Sequence, residues 1–321
     1  MSRYRNHLPQ LSADLFLTDG GLETTLLFDE GFDLPHLAAI VLVNQSEGVE
    51  AIRRYCQNYI EVAQRFGVGI SFDTATWRAS SDWGEKLGCT PDELAEANRL
   101  AVRILEEVRD EYESPTSPIV IAACVGPRGD GYRPEFLMSP EEAHEYHQRQ
   151  IDTFTETAAD YVGAMTMTHT GEAIGVVRAA GQAGMPVAIS FTVETDGRLP
   201  TGQPLGEAIT EVDAATGRSA AYFMVNCAHP THFAEAVSEV APWTGRLRGI
   251  RANASRLSHA ELEACTELDT GDPADLASHY AALRAGPLKH VTILGGCCGT
   301  DHRHIEQIAA AACRPSMPRT G

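Results

Sequence analysis

Three cysteines stand out by type and spacing. Cys297 and Cys298 are adjacent in the run Gly295-Gly296-Cys297-Cys298-Gly299-Thr300, and Cys227 precedes them by about seventy residues. Three thiolates suit zinc, and a catalytic zinc typically takes three protein ligands while leaving the fourth position to water or substrate. Neighbouring side chains diverge from an extended strand, so a vicinal pair needs unusual backbone. Gly295, Gly296 and Gly299 are expected to supply it by adopting angles that other residues avoid. Thr300-Asp301 reads as a helix start, whose dipole favours thiolate over thiol. Taken alone, Cys227 would be a packing residue and the vicinal pair a redox-sensitive accident. Cys56, Cys89, Cys124, Cys265 and Cys313 stand singly and read as packing residues. His229, His302 and His304 are further nitrogen donors, although the last two fall where a solvated first helical turn is expected.

Such a trio works only if the chain brings it together. Strand-like runs rich in Val, Ile, Phe and Thr fall at 15–18, 69–73, 119–124, 161–168, 186–193, 221–226, 247–252 and 290–294. Most are too continuously apolar for a half-solvated strand. Helical periodicity lies between them at 49–66, 91–112, 140–159 and 302–312. Thr90-Pro91-Asp92-Glu93 and Ser139-Pro140-Glu141-Glu142 each put a capping hydroxyl before a proline and an acidic first turn. Eight strands alternating with helices predict a single-domain (β/α)8 TIM barrel over 15–313, with tails at 1–14 and 314–321. A doubly wound open sheet is the rival, but Asp19-Gly20-Gly21-Leu22-Glu23 lacks the G-x-G-x-x-G spacing of its fingerprint.

In such a barrel the site is built at the C-terminal strand ends. Asp19, the segment 74–77, Gly126-Pro127, Cys227, Asn253 and the segment 295–299 should therefore share one mouth. Asp19 reads either as a turn aspartate or as an anchor for an ammonium or other polar group, and Asn253 carries the same ambiguity. Gly20 and Gly21 suggest close backbone approach. With Thr76 these four complete the candidate substrate contacts.

Composition narrows the partners. Apolar residues are 43 % and charged residues 21 % of 321, ordinary globular usage. A net charge of −19 argues against nucleic acid and against an anionic membrane, which select basic surfaces. No apolar run reaches the roughly 20 residues of a membrane span. No signal-type apolar stretch follows Arg3 and Arg5, so a cytoplasmic protein with reduced thiols is expected. No heptad or long apolar stripe marks an oligomer interface.

Asp19-Gly20-Gly21, Val225-Asn226-Cys227 and 295–300, together with Ile189-Ser190-Phe191-Thr192-Val193 and Gly197-Arg198-Leu199, resemble the homocysteine S-methyltransferase family. The resemblance runs from about residue 15 to 312, and the vicinal cysteines in their glycine frame are its most specific part. It implies a (β/α)8 barrel whose Cys227, Cys297 and Cys298 bind Zn2+ and hold a homocysteine thiol for methylation to methionine. Family members differ in donor. The chain is short of the C-terminal extension of the betaine-using relatives and of the folate and cobalamin modules of the large methionine synthases. A sulfonium donor, S-methylmethionine or S-adenosylmethionine, is thus expected, with no tightly held organic cofactor.

Two positions depart from the family pattern. A glutamate that the family carries after the fourth strand, implicated in holding the homocysteine amino group, is replaced in the stretch Met165-Thr166-Met167-Thr168, and Ala75 stands in a usual Thr-Asn-Thr-Tyr. Glu172 or Glu194 is the candidate substitute for the lost carboxylate, and the sequence alone places neither. Another thiol acceptor, a betaine donor and a non-catalytic zinc- or thiol-binding relative are the alternatives. A metal-dependent barrel hydrolase fits less well, because its His-x-His belongs on the first strand and His302-x-His304 lies past the last.

Overall fold

The computed structural model describes residues 1–12, 14–134, 136–238 and 240–313, so the expected tail at 314–321 lies outside the described residues. Eight parallel strands close into a barrel in sequence order. They are β1 Phe16–Thr18, β2 Gly69–Asp73, β3 Ile119–Val125, β4 Tyr161–Met167, β5 Val187–Phe191, β6 Tyr222–Asn226, β7 Leu247–Ala252 and β8 Ile293–Gly296. Around them run α1 Ser46–Phe66, α2 Pro91–Tyr112, α3 Pro140–Thr155, α4 Thr170–Gln182, α5 Leu205–Thr216, α6 Pro273–Ala285 and α7 His302–Cys313. Among the described residues no helix is long and apolar enough to cross a membrane.

Both strand faces are buried, which is why the strands read as continuous apolar runs. In β3, Val120, Ala122 and Cys124 join Phe16, Tyr161, Met165 and Tyr222 inside the barrel. Ile119, Ile121, Ala123 and Val125 point outward into the larger core under the helices. The two capping sequences act as expected. The Thr90 and Ser139 side chains accept from the backbone N–H of Glu93 and Glu142, whose carboxylates in turn accept from the backbone N–H of Thr90 and Ser139.

Two boundaries moved for physical reasons. β8 lies later than 290–294, because Gly295 and Gly296 pair with Arg251 and Ala252 in the ladder. A side chain at either glycine would collide with Thr18 or Thr300, so these residues allow close approach rather than unusual backbone angles. The residues expected as an N-terminal tail instead close the barrel floor. Leu8 packs under the interior cluster. Arg5 donates to the carbonyls of Thr155, Thr157 and Ala159, stopping α3 short of 159.

Candidate active site

Cys227 follows β6 and Cys297-Cys298 follow β8, with β7 between them in the sheet. The three sulfurs lie within 4.8 Å of one another. The Cys227 and Cys297 sulfurs are in direct contact, their Cα atoms 5.4 Å apart, and Cys298 lies beside them. Three sulfurs around one ion at about 2.3 Å would stand roughly 3.8 Å apart, so the reduced trio fits a single metal. Backbone geometry assembles it. Cys227 sits at φ 54°, its N–H donating 3.1 Å to the Arg251 carbonyl. Gly299, at φ 76°, is the glycine whose left-handed backbone turns the chain out of the vicinal pair.

Asn226 ties the sulfurs to the rest of the barrel. Its Oδ1 accepts from the Thr166 backbone N–H at 3.0 Å and the Ser190 hydroxyl at 2.7 Å. That fixes the amide's orientation and turns Nδ2 toward Cys227 Sγ at 3.2 Å and Cys297 Sγ at 4.0 Å. Donors of this kind stabilise anionic sulfur and orient it. Thr166 meets Asn226 because it occupies a left-handed conformation, φ 62°, at a register shift between β4 and β5. Asn226 stood in the quoted Val-Asn-Cys motif without being singled out as a site residue. On the opposite side, the Tyr132 hydroxyl lies 3.8 Å from Cys298 Sγ. Burial pushes the Cys298 thiol up to about 11, opposed by that hydrogen bond.

A charged cluster lies beneath. Arg251 projects from β7 and binds Asp19 at 2.5 Å and also Asp73, while its Nε donates 3.3 Å to the Gly296 carbonyl. Tyr55 donates to the other Asp19 oxygen at 3.2 Å. Burial, with Asp73 adding to it and Arg251 opposing it, holds Asp19 above the ordinary carboxylate range. One guanidinium thus serves two carboxylates at once. This cluster went unread in the sequence, although an arginine within a barrel strand is the signal that could have pointed to it.

The expected substrate contacts divide. Asp19, Gly20 and Gly21 line the cavity with the three cysteines, Met165 and Glu23. Asp19, already paired, braces Arg251 instead of offering a free anchor. A side chain at Gly20 would come within 2.6 Å of the Thr300 carbonyl and the Tyr59 hydroxyl. Thr76 does not line the cavity. It is fully buried and its hydroxyl donates 2.7 Å to the Cys124 carbonyl, joining the ends of β2 and β3. Asn253 also lies behind, donating 3.0 Å to the Cys227 carbonyl, which accepts from His259 as well.

Neither expected substitute carboxylate reaches the cavity. Glu172 is bound to His147 at 2.9 Å and to the Arg128 N–H at 2.7 Å, and Glu194 pairs with His259 at 3.2 Å. His304 is committed to Asp301 and the Thr270 carbonyl. His229, Asp275 and His279 also bring three donor atoms within 4.8 Å of one another. There, however, the Arg256 guanidinium already contacts both Asp275, at 2.6 Å, and His279, at 3.0 Å.

Residues 16–312 match the family model described as Homocysteine S-methyltransferase. Homocysteine S-methyltransferase YbgG of Bacillus subtilis is 27 % identical over 254 residues, 74 % of this chain and 78 % of that one. Selenocysteine Se-methyltransferase of Brassica oleracea var. italica is 24 % identical over 316 residues, 91 % and 87 % of the two chains. Among solved structures, the oxidized form of the homocysteine methyltransferase MmuM from Escherichia coli superimposes with a TM-score of 0.73 at 20 % identity, covering 94 % of this chain and 97 % of that one. Its metallated form gives 0.70 at 19 %, covering 93 % and 96 %.

Proposed function

The chain belongs to the homocysteine S-methyltransferase family and is an S-methyltransferase, and from that premise we propose that it methylates homocysteine with a sulfonium donor, using zinc. The observation that carries this reading is the convergence of Cys227, Cys297 and Cys298 at one cavity mouth. Zinc held by these three residues would keep the acceptor sulfur as a nucleophilic thiolate at neutral pH. S-methylmethionine and S-adenosylmethionine are the proposed donors.

The protein's own residues then act mainly by placement. Asn226 donates toward Cys227 and Cys297 and holds their sulfurs in one orientation. Tyr132 covers Cys298, and Met165 and Trp77 give the cavity an apolar wall that keeps water from the reacting atoms. The acceptor sulfur attacks the donor methyl carbon in line. A sulfur–carbon bond forms as the sulfonium–carbon bond breaks, and the donor leaves as a neutral thioether. Fixing the two reactants at attack distance accounts for several kcal/mol of such a barrier, about 7–11 in well-oriented systems.

The test is to incubate zinc-loaded protein with homocysteine and, separately, S-methylmethionine, S-adenosylmethionine and glycine betaine, and to quantify methionine. Turnover with a sulfonium donor is expected; turnover with betaine alone, or none, contradicts the proposal. A second reading keeps the chemistry and changes the acceptor to another thiol or a selenol. It is favoured by the apolar Met165 in the wall and by the similarity to the Brassica enzyme.

A further inference from the structure

We propose that Glu23 holds the ammonium group of the amino-acid acceptor and thereby selects it over thiols that lack an amine, an inference that rests on homocysteine being the acceptor. Homocysteine carries its thiol two methylenes from a carbon bearing an ammonium and a carboxylate. Bringing that ammonium into a largely desolvated cavity without a counter-charge is costly, so a carboxylate should face it. Three carboxylates line this cavity, those of Asp19, Asp73 and Glu23. Asp19 and Asp73 are both taken by Arg251, and Asp19 also by Tyr55. The Glu23 carboxylate accepts no side-chain hydrogen bond and makes no ion pair among the described residues.

Its position is set by the sulfur site itself. Glu23 lies in the single helical turn Leu22–Thr24 that follows β1. Before it, the Gly21 N–H donates 3.1 Å to the Thr300 carbonyl, and any side chain at Gly21 would stand 2.8 Å from the Cys297 carbonyl. After it, the Thr24 hydroxyl accepts from the Gly299 N–H at 3.4 Å. The backbone bearing the carboxylate is therefore pinned on both sides to the loop that carries Cys297 and Cys298. Across the cavity, the β4 wall offers the uncharged Met165 and Thr166. Burial, with Asp73 adding to it, pushes the Glu23 carboxyl up, opposed by its own backbone N–H and by Arg251 and Arg78. Of the three cavity carboxylates, Glu23 is the one without a cationic partner, and a substrate ammonium would supply it.

The experiment compares Glu23→Gln, which keeps shape and removes charge, with wild type on homocysteine and on 4-mercaptobutanoate, its analogue without the amine. Wild type is expected to prefer homocysteine by at least about fiftyfold in kcat/KM. Glu23→Gln is expected to raise the homocysteine KM about 10- to 100-fold with kcat nearly unchanged, the range of a lost charge-assisted bond. Its kcat/KM on the analogue should stay within about threefold of wild type. Equal losses on both thiols, or no change on homocysteine, would overturn the assignment. Calorimetric binding of the two thiols to the zinc-loaded proteins separates this inference from the reaction itself. A wild type that transfers no methyl, yet binds homocysteine more tightly than the analogue only while Glu23 is present, removes the reaction and keeps the anchor. A binding preference that survives Glu23→Gln removes the anchor whatever the turnover.

Discussion

The barrel holds a buried ion pair at each end, and the two are built differently. At the floor, Arg109 and Asp160 are both fully buried and 2.8 Å apart. The Asp160 carboxylate there accepts four bonds, from Arg109, the Ile121 N–H and the N–H groups of Arg3 and Tyr4. Charge is balanced and both oxygens are filled. At the mouth, Arg251 serves two carboxylates at once, with Glu23 unspent above them. The balanced pair fastens the N-terminal segment under the barrel, as expected of a face devoted to stability. The unbalanced cluster is tolerated where a ligand can complete it, and it lies directly under the sulfurs.

Breaking the floor pair should give the largest loss of stability and leave chemistry intact. Asp160→Ala strands the Arg109 guanidinium and should cost about 3–5 kcal/mol in urea unfolding, with the methyl-transfer rate per folded molecule unchanged. A variant that keeps its stability but loses activity would erase the distinction between the two ends. At the mouth the order reverses. Asn226→Ala should weaken zinc binding about 10- to 100-fold, read by competition with a chelator. Ser190→Ala, which removes one bond to the same amide without touching the sulfurs, should stay within about threefold of wild type. Equal effects would mean that Asn226 acts through the β4–β5 bulge and not on the thiolates.

A much smaller loss of stability than at Asp160 should come from Asp301, which accepts from the N–H groups of Arg303 and His304 in the first turn of α7. Loss of this capping role in Asp301→Ala should cost about 1 kcal/mol. Hydrogen bonds from His304 and Arg303 overcome burial and hold this carboxyl below its usual range. A depressed folded-state value stabilises above the ordinary carboxylate range of about pH 4, and that stabilisation fades as pH falls toward the folded value. The difference between wild type and variant should therefore be full at pH 7 and shrink only on strong acidification. A gap that closes between pH 7 and pH 5 would contradict this origin.

The barrel and the cysteine trio were legible in the sequence because each leaves a linear mark. Buried parallel strands leave apolar runs, and the vicinal cysteines sit in a run of glycines that tolerates no side chain. β8 was misplaced because Gly295 and Gly296 carry no strand-forming side chain, although they pair in the ladder. Substrate contacts left no such mark. Thr76 and Asn253 stand at strand ends in sequence, but half a turn of backbone decides whether a residue faces the cavity or braces the wall behind it. Glu23 went unassigned because its meaning depends on what Asp19 and Asp73 are already bonded to, which only the folded arrangement reveals.

The most direct test of the central claim, that three thiols form one metal site for methyl transfer, is to measure zinc content and methionine formation together in Cys227→Ser, Cys297→Ser and Cys298→Ser. Each variant should keep its circular dichroism, lose stoichiometric zinc, and transfer methyl groups on the order of a thousandfold more slowly. Any one of them binding one zinc per chain at wild-type affinity and turning over at the wild-type rate would contradict it.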